Sequence, residues 1–322
     1  MARLVLGSRG SALALAQATI VRNALLLDNS GLVVDIKVLS TSGDRRQEVR
    51  AGEGGAAGLK GLFTKEIQDA LLHGSIDAAV HSLKDMPGIT PPELGLGAVL
   101  ARADTSDILL SADYPGIESL PAGARVGTGS VRRRRQLQWL RPGLEIVELR
   151  GNVPTRLQKA RSHDAIVLAR AGLDRLGYSF SGGMLECDAG SFHAAPLDIL
   201  PAIGQGAIGI ETRLDDAATR DLLSSIDHLP THTCIRVERE LLRLLDGDCR
   251  LPVAALVTLD DCGTLHAAAI VFPDDEAAPP AQARAAGPDS DPKSLAFTLF
   301  QQLKGSSSSV SSSKPLRPSR EQ

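Results

Sequence analysis

The chain has 322 residues, 43% of them hydrophobic and 23% charged, with a formal net charge of −3. That length suggests two or three domains, and the composition is that of a folded globular body, which excludes intrinsic disorder for most of it. Uncharged stretches such as Ile199–Ile210 fall short of the ~18–20 residues a membrane span needs, so no transmembrane helix and no membrane partner are expected.

Taken from the start, Met1–Val21 is Ala/Leu-rich, but Arg9 interrupts the apolar run and no small-residue cleavage pattern follows. The segment reads as a short strand, Leu4–Leu6, entering a helix rather than as a signal peptide, and a cytoplasmic location is expected. Ala14, Ala18, Val21 and Leu25 share one helical face, and Phe63, Ile67, Ala70 and Leu71 repeat the spacing. Leu32–Leu39, Ala78–His81, Glu145–Leu149 and Ala165–Ala169 read as strands, the last two bracketing a helix from Val153 to Arg161. Strand–helix alternation of this kind predicts an α/β architecture with mostly parallel sheets. Pro/Gly-marked stretches at Gly88–Gly97 and Leu200–Gly209 are candidate crossings between two α/β lobes. From Thr231 a helix with Cys234, Val237, Leu241, Leu244 and Leu245 on one face opens a third unit. Pro252–Leu259 then reads as a strand, Pro273–Pro292 as a loose acidic loop and Leu295–Leu303 as a last helix. The tail from Gly305, with seven serines among Ser306–Ser313, is expected to be disordered.

Charge is unevenly placed. Between Arg125 and Arg175 twelve basic residues face four acidic ones, a local excess of eight, and eleven of the twelve are arginine. Arginine suits planar, bidentate recognition of carboxylate or phosphate, so this segment is expected to meet an anion. Three loops after strands carry the candidate chemistry, because ligands in open α/β sheets bind beyond the carboxyl ends of strands. Val80–Pro87 sets Lys84 beside Asp85; this is either a general acid/base that stabilises a cation or a solvated turn. Val126–Arg135 is a Gly/Thr/Ser turn opening a helix, with Ser130 as N-cap and the helix dipole favouring an anion. Its four consecutive arginines, about 100° apart, cannot all face one ligand. Leu149-Arg150-Gly151-Asn152 has Asn152 placed to cap a helix bearing Arg156, and Arg9-Gly10-Ser11 repeats the arrangement near the start.

Other features point less far. The four cysteines, Cys187, Cys234, Cys249 and Cys262, are never closer than 13 positions, so no C-x-x-C motif exists. Cys234 falls in a helix's apolar pattern, whereas Cys249 sits in a loop where adjacent Arg250 would lower its pKa and Asp248 raise it; an inert thiol and a reactive one both fit. His228 and His232, at i and i+4 with Cys234 nearby, lack an evident fourth ligand, and Pro230 lies between them, so no metal site is expected. The glycines of Ile203–Gly206 lack the strand and third glycine of a dinucleotide fingerprint.

Eight segments in order resemble the porphobilinogen deaminase (hydroxymethylbilane synthase) family: Gly7–Ala14, Lys60–Glu66, Val80–Pro87, Val126–Arg133, Leu149–Arg156, Ala169–Gly177, Leu200–Glu211 and Gly247–Cys249. The resemblance spans roughly residues 3–304. It implies an α/β fold of two lobes resembling type II periplasmic binding proteins plus a smaller C-terminal α+β domain. The implied boundaries are 1–102 with 204–226, 103–203, and 227–304 carrying the cofactor cysteine, followed by the 305–322 tail. The implied reaction, that of a transferase, joins four porphobilinogen molecules head to tail, releasing ammonia each time, to make hydroxymethylbilane for tetrapyrrole synthesis. The implied cofactor is a dipyrromethane primer held by a thioether to Cys249. Asp85 would be the catalytic residue, facing the cationic azafulvene that ammonia loss leaves and the proton that must finally depart. Lys84, Ser130, Arg132, Arg133, Arg150 and Arg156 would hold the cofactor. Arg9, Ser11, Phe63, Arg150, Arg156 and Arg175 would meet substrate, Phe63 packing near the growing chain. Primer and four substrates bring twelve carboxylates, to which the basic segment is a fitting counterpart.

The chain departs from the family where Ala56–Leu59 replaces a glycine-rich turn with a second lysine, and where Gly129 replaces a common serine. Arg134 and Arg135 extend the usual pair and receive no role. Two rivals remain: a non-catalytic anion-binding protein and a nucleic-acid-binding module. Nine aromatics in the whole chain offer little for base stacking, so no nucleic acid partner is expected, and the working form is expected to be a monomer.

Overall fold

A computed structural model describes residues 3–39, 64–245 and 252–306. Two compact units emerge, Met1–Ala103 with Gly206–Cys249 and Asp104–Gln205 with Arg250–Gln322. Cys249, Phe63, Lys60 and the Ala56–Leu59 stretch lie outside the described residues, as does the tail from residue 307.

The first unit contains a sheet of β1 (Arg3–Arg9), β2 (Val33–Leu39), β3 (Ala78–Ser82), β4 (Leu94–Val99) and β12 (Ile208–Arg213), ordered β2-β1-β3-β12-β4. β1 pairs in parallel with β2 and β3, while β12 is antiparallel to both β3 and β4. The expected mostly parallel sheet is therefore mixed, because β12 returns from a distant part of the chain instead of following a crossover helix. Helix α1 (Ala12–Asp28) buries Ala18, Val21 and Leu25 against this sheet, as its spacing predicts. Ile67 and Leu71 of α2 (Lys65–Leu72) pack on the sheet with Ile76, Ala79 and Leu94. α6 (Ala217–Ser224) and α7 (Leu229–Leu244) complete the unit, and a buried two-pronged bond from Arg102 to Glu238, 2.6 and 3.1 Å, fastens α7 to the segment after β4. His228 caps α7. Among the described residues no group of three His, Cys, Asp or Glu side chains is placed to hold a metal, and no helix is long and apolar enough to cross a membrane.

The second unit holds a seven-stranded sheet built from β5 (Asp107–Ser111), β6 (Arg125–Gly127), β7 (Glu145–Val147), β8 (Ala165–Ala169), β9 (Phe180–Ser181), β10 (Met184–Cys187) and β11 (Gly190–Leu197), ordered β7-β6-β8-β5-β11-β10-β9. β6 is parallel to β7 and β8, and the remaining pairs are antiparallel. Its helices are α3 (Val131–Leu140), α4 (Val153–Gln158) and α5 (Arg170–Arg175). The expected helix from Val153 to Arg161 thus stops at Gln158 and tightens into a 3-10 turn over Ala160–Ser162. The same unit carries a three-stranded antiparallel sheet, β13 (Val253–Leu259), β14 (Thr264–Val271) and β15 (Ala281–Pro288), with α8 (Pro292–Ser306) packed on β15 and β14. β15 corrects the expected loose loop over Pro273–Pro292. Its Ala/Gly-rich sequence has low strand propensity, but pairing along all of β14 supplies the hydrogen bonds that local preference does not. α3 packs on this small sheet through Trp139, whose ring meets Phe272 edge-on at 6.1 Å.

A buried carboxylate at the start of β5 ties the second unit together. Asp107 Oδ2 accepts from Arg132 Nη2 at 2.6 Å, and Oδ1 accepts from Arg133 Nη2 at 2.7 Å and from Gln205 Nε2 at 2.9 Å. The arginines also donate to backbone carbonyls, Arg132 to Leu200 at 2.6 Å and Arg133 to Val167 at 2.9 Å. Burial by itself would raise the Asp107 carboxyl, but the two guanidiniums and their hydrogen bonds outweigh it and hold the group well below the usual carboxylate range. A carboxyl depressed in this way stabilises the fold above the ordinary Asp pKa and loses that contribution as pH falls beneath it. Asp107→Asn is therefore expected to cost about 3–5 kcal/mol near neutrality, read as a lowered urea midpoint, because two buried cations lose their counter-charge. The gap from the parent is expected to narrow progressively below about pH 4; a gap that stays constant into strong acid would exclude this pairing.

Candidate functional site

In the first unit the carboxyl ends of β1 and β3 meet the start of α1. Arg9 ends β1, and Ser11 caps α1, its Oγ accepting from the Ala14 N–H at 3.3 Å. The Gln17 amide contacts the Ser82 hydroxyl at 2.7 Å, tying α1 to the end of β3. The chain then enters a 3-10 turn, Leu83–Asp85. This turn is pinned on both flanks: Leu83 and Met86 are buried with Val99, Ala207 and Ile235, and the Leu83 N–H donates to the Ala207 carbonyl at 3.1 Å. Arg239 of α7 donates to the Pro87 carbonyl at 3.1 Å. A short polar side chain on a turn held this way has little freedom, and Asp85 is half-buried.

Asp85 lines a pocket of about 490 Å³, part of it open solvent, together with Arg9, Ser11, Gln17, Thr64 and His81. One carboxylate here shares a wall with a guanidinium, the three hydroxyls of Ser11, Thr64 and Ser82, an amide and an imidazole. Such a set can hold a small polar molecule carrying both an acid and a basic nitrogen, and it can accept or return a proton. Lys84, next to Asp85, is half-buried and is not among the pocket's lining residues.

In the second unit the loops after the parallel strands β6 and β7 lie side by side. The Thr128 N–H donates to the Val147 carbonyl at 2.9 Å, and a Cβ added at Gly129 would sit 2.9 Å from the Leu149 oxygen. Glycine at 129 therefore lets the two loops approach, and two helix starts come together. Ser130 Oγ accepts from the Arg133 N–H at 3.4 Å, and Asn152 Oδ1 accepts from Thr155 at 2.9 Å. The left-handed Gly151, φ 118°, makes the turn into α4. Arg150 is half-exposed, with Nε on Glu148 at 2.7 Å, and Arg156 donates from Nε to the Gly151 carbonyl at 2.7 Å. Aligned N–H groups and guanidiniums at these loop ends present hydrogen-bond donors and positive charge, chemistry that suits an anion.

The four arginines of α3 divide by helical position. Arg132 and Arg133 are buried on Asp107, leaving that trio one net positive charge, and Arg132 Nε is buried with no hydrogen-bond partner among the described residues. Arg134 is half-buried. Arg135 turns to the small sheet, its guanidinium 5.4 Å from the Phe272 ring centroid and bonded to the Asp275 carbonyl at 3.3 Å. Arg175 ends α5, and burial lowers its pKa to about 10, against the opposing charge of Asp174, so it remains cationic at neutral pH.

The structure thus brings Arg9, Ser11 and Asp85 together in one unit. In the other it brings together Ser130, Arg132 and Arg133 on α3, beside the loop of Arg150 and Arg156. Sequence reasoning missed Gln17, Thr64 and His81 as pocket residues and Asp107 as the anchor of the arginine pair. An isolated acid opening the apolar run Asp107-Ile108-Leu109-Leu110 was the available signal for Asp107, since an acid entering a buried strand needs a partner.

Comparison with known proteins adds the last observation. Residues 4–221 match the family model described as "Porphobilinogen deaminase, dipyromethane cofactor binding domain". The chain is 44% identical to the porphobilinogen deaminase of Syntrophobacter fumaroxidans over 88% of its own length and 91% of that protein. It is 47% identical to that of Nitratidesulfovibrio vulgaris over 81% of each chain. Among solved structures, a periplasmic substrate-binding protein of an ABC transporter from Coxiella burnetii is 17% identical over 70% of this chain and 91% of that one, with a TM-score of 0.40. The chain, matched along most of its length by a single family model and by relatives well above the level of chance, belongs to the porphobilinogen deaminase family.

Proposed function

We infer that the chain catalyses the head-to-tail joining of four porphobilinogen molecules on a dipyrromethane primer, releasing ammonia at each joining and hydroxymethylbilane at the end. The observation that carries this reading is Asp85, the single carboxylate among the described residues that line its pocket, within a segment that matches the family model.

The residues present fit a primer bearing acetate and propionate side chains. The orphaned Arg132 Nε, the net positive charge of its trio and the N–H groups at the start of α3 all call for an acceptor that is an anion. Lys84, Ser130, Arg132, Arg133, Arg150 and Arg156 are the residues proposed to hold it, with Cys249 as the thioether anchor. When bound, the primer supplies the pyrrole carbon to which the first substrate is joined.

The chain's own part is electrostatic. Arg9, the hydroxyl of Ser11 and the first turn of α1 are proposed to take a substrate carboxylate. Asp85 stabilises the cationic carbon created on porphobilinogen when ammonia departs, and one of its oxygens accepts the proton released when the new bond has formed. Arg150, Arg156 and Arg175 are proposed to meet carboxylates of later substrates, and Phe63 to pack near the growing chain. The proposed functional divisions, 1–102 with 204–226, 103–203 and 227–304, differ from the compact units in that α7 and the small sheet fall on different units. The same reading takes the working form as a cytoplasmic monomer acting on a small molecule, with no nucleic acid or membrane partner.

Intact-mass measurement tests the function directly. The purified chain is expected to exceed its sequence mass by one dipyrromethane and to gain increments of one pyrrole unit when given porphobilinogen, and Cys249→Ser is expected to carry no primer. A chain at its sequence mass that never gains weight would favour a non-catalytic anion-binding protein. Asp85→Ala is expected to keep the primer and the fold but to lose roughly 10²–10⁴ in turnover; near-parental rates would remove Asp85 from the mechanism. Arg150→Ala is expected to shift the mass distribution toward incompletely elongated species, and an unchanged distribution would count against its assignment.

A further inference from the structure

One buried titratable pair in the first unit has no task in this mechanism. Glu211 of β12 has no exposed surface, and its Oε2 lies 3.1 Å from Nε2 of His81 on β3. Its other oxygen accepts from Gln68 Nε2 of α2 at 3.0 Å. The strand register explains the reach: Glu211 stands opposite Ala79 and Gly209 opposite His81, so Glu211 and His81 are diagonal neighbours on one face, with no side chain from Gly209 between them. Both partners of the carboxylate belong to elements that build the Asp85 pocket. His81 lines it directly, and α2, which carries Gln68, begins directly after Thr64, another lining residue.

We propose that His81 is a positioning residue for Asp85, its ring orientation and tautomer fixed by the buried carboxylate of Glu211. The proposal rests on the reading of Asp85 as the acting carboxylate and adds the element that sets the pocket wall beside it. With Nε2–H donated to Glu211, the imidazole cannot turn without leaving a fully buried carboxylate oxygen unmet, a cost well above that of a surface hydrogen bond. Among the described residues, the charged groups that share the pocket or the buried network with His81 are Glu211, Arg9 at the end of β1 and Asp85 on its own segment. α1 and α2 contribute the neutral amides of Gln17 and Gln68. The ring is thereby held before substrate arrives as a fixed part of the wall that Asp85 shares, so that the space in which the Asp85 carboxylate works keeps one shape.

The test compares Glu211→Ala, Glu211→Gln and His81→Gln as primer-bearing proteins. Glu211→Ala is expected to lower kcat by about ten- to a hundredfold while KM for porphobilinogen changes by less than about twofold. Glu211→Gln, whose amide oxygen still accepts from Nε2–H, is expected to recover most of that loss. Adding His81→Gln to Glu211→Ala is expected to slow turnover no further than the slower single change, as coupled positions do. Nitrogen-15 NMR of the parent's seven histidines, with the His81 signal identified by its loss in His81→Gln, is expected to place the proton on Nε2. A folded Glu211→Ala protein at parental kcat would overturn the proposal, as would a kcat loss that merely tracks loss of folded protein, or a parent His81 lacking the Nε2 proton. The NMR observation needs no Glu211 variant, so it decides the matter even if Glu211→Ala does not fold. A parent that makes no product, or an Asp85→Ala protein that turns over normally, would instead overturn the functional reading.

Discussion

Two guanidiniums buried on one carboxylate are the interaction from which the second unit is built outward. Asp107 can lie fully inside because Arg132 and Arg133 face it from the first turn of α3, and those arginines can lie inside because Asp107 and two backbone carbonyls take most of their donors. Neither half is tolerable alone, since an unpaired buried charge costs several kcal/mol. The arrangement fixes α3 to the edge of β5 and thereby aims the N-terminus of α3 at the loop after β7. It also leaves one positive charge in excess and, among the described residues, the Arg132 Nε–H without a partner. Structural anchoring and the proposed anion recognition would then be two consequences of the same pairing, and the arginines need not be assigned to one or the other.

The first unit solves a different problem, that of holding a single carboxylate still without neutralising it. Among the described residues no arginine is clamped across Asp85 in the manner of Asp107. Its position comes instead from its neighbours: apolar side chains on either flank, a backbone bond to Ala207, and the Arg239 bond to Pro87. That is the arrangement expected of a group that must meet a transient positive charge, because a carboxylate already satisfied by a strong internal partner has little left to offer.

Much of this was legible in the sequence. The spacing of Ala18, Val21 and Leu25 predicted the buried face of α1, and Ser11, Ser130 and Asn152 were readable as N-caps because short polar side chains before an apolar-periodic run have few other uses. What escaped was set by partners remote in the chain. β15 forms because β14 offers it a complete ladder, not because its alanines prefer extended backbone. His81 looks like one more residue of an apolar strand until Glu211, 130 positions later, is seen beneath it. Gly129 looks like a lost hydroxyl until the Leu149 carbonyl is found where its side chain would be.

The charge count shows most clearly what composition can and cannot say about binding. A local excess of eight between Arg125 and Arg175 suggests a matching crowd of ligand carboxylates, but much of that charge is consumed inside the unit. Arg132 and Arg133 share Asp107, Arg135 lies on Phe272, Arg141 bonds the Ile117 and Leu120 carbonyls, Arg161 lies 5.8 Å from the Phe192 ring centroid, and Arg170 pairs with Asp174 over Phe180. On the proposed function, recognition would then fall to fewer side chains, Arg150 and Arg156 among them, and to the aligned N–H groups where α3 and α4 begin. Backbone donors of that kind are preorganised, carry no side-chain entropy to lose and do not depend on net charge, so they suit a surface that must accept similar carboxylates in succession. Specificity on this account comes from the placement of a few donors on rigid loop ends, and the abundance of arginine reflects the fold's own need for buried cations as much as the ligand's need for counter-ions.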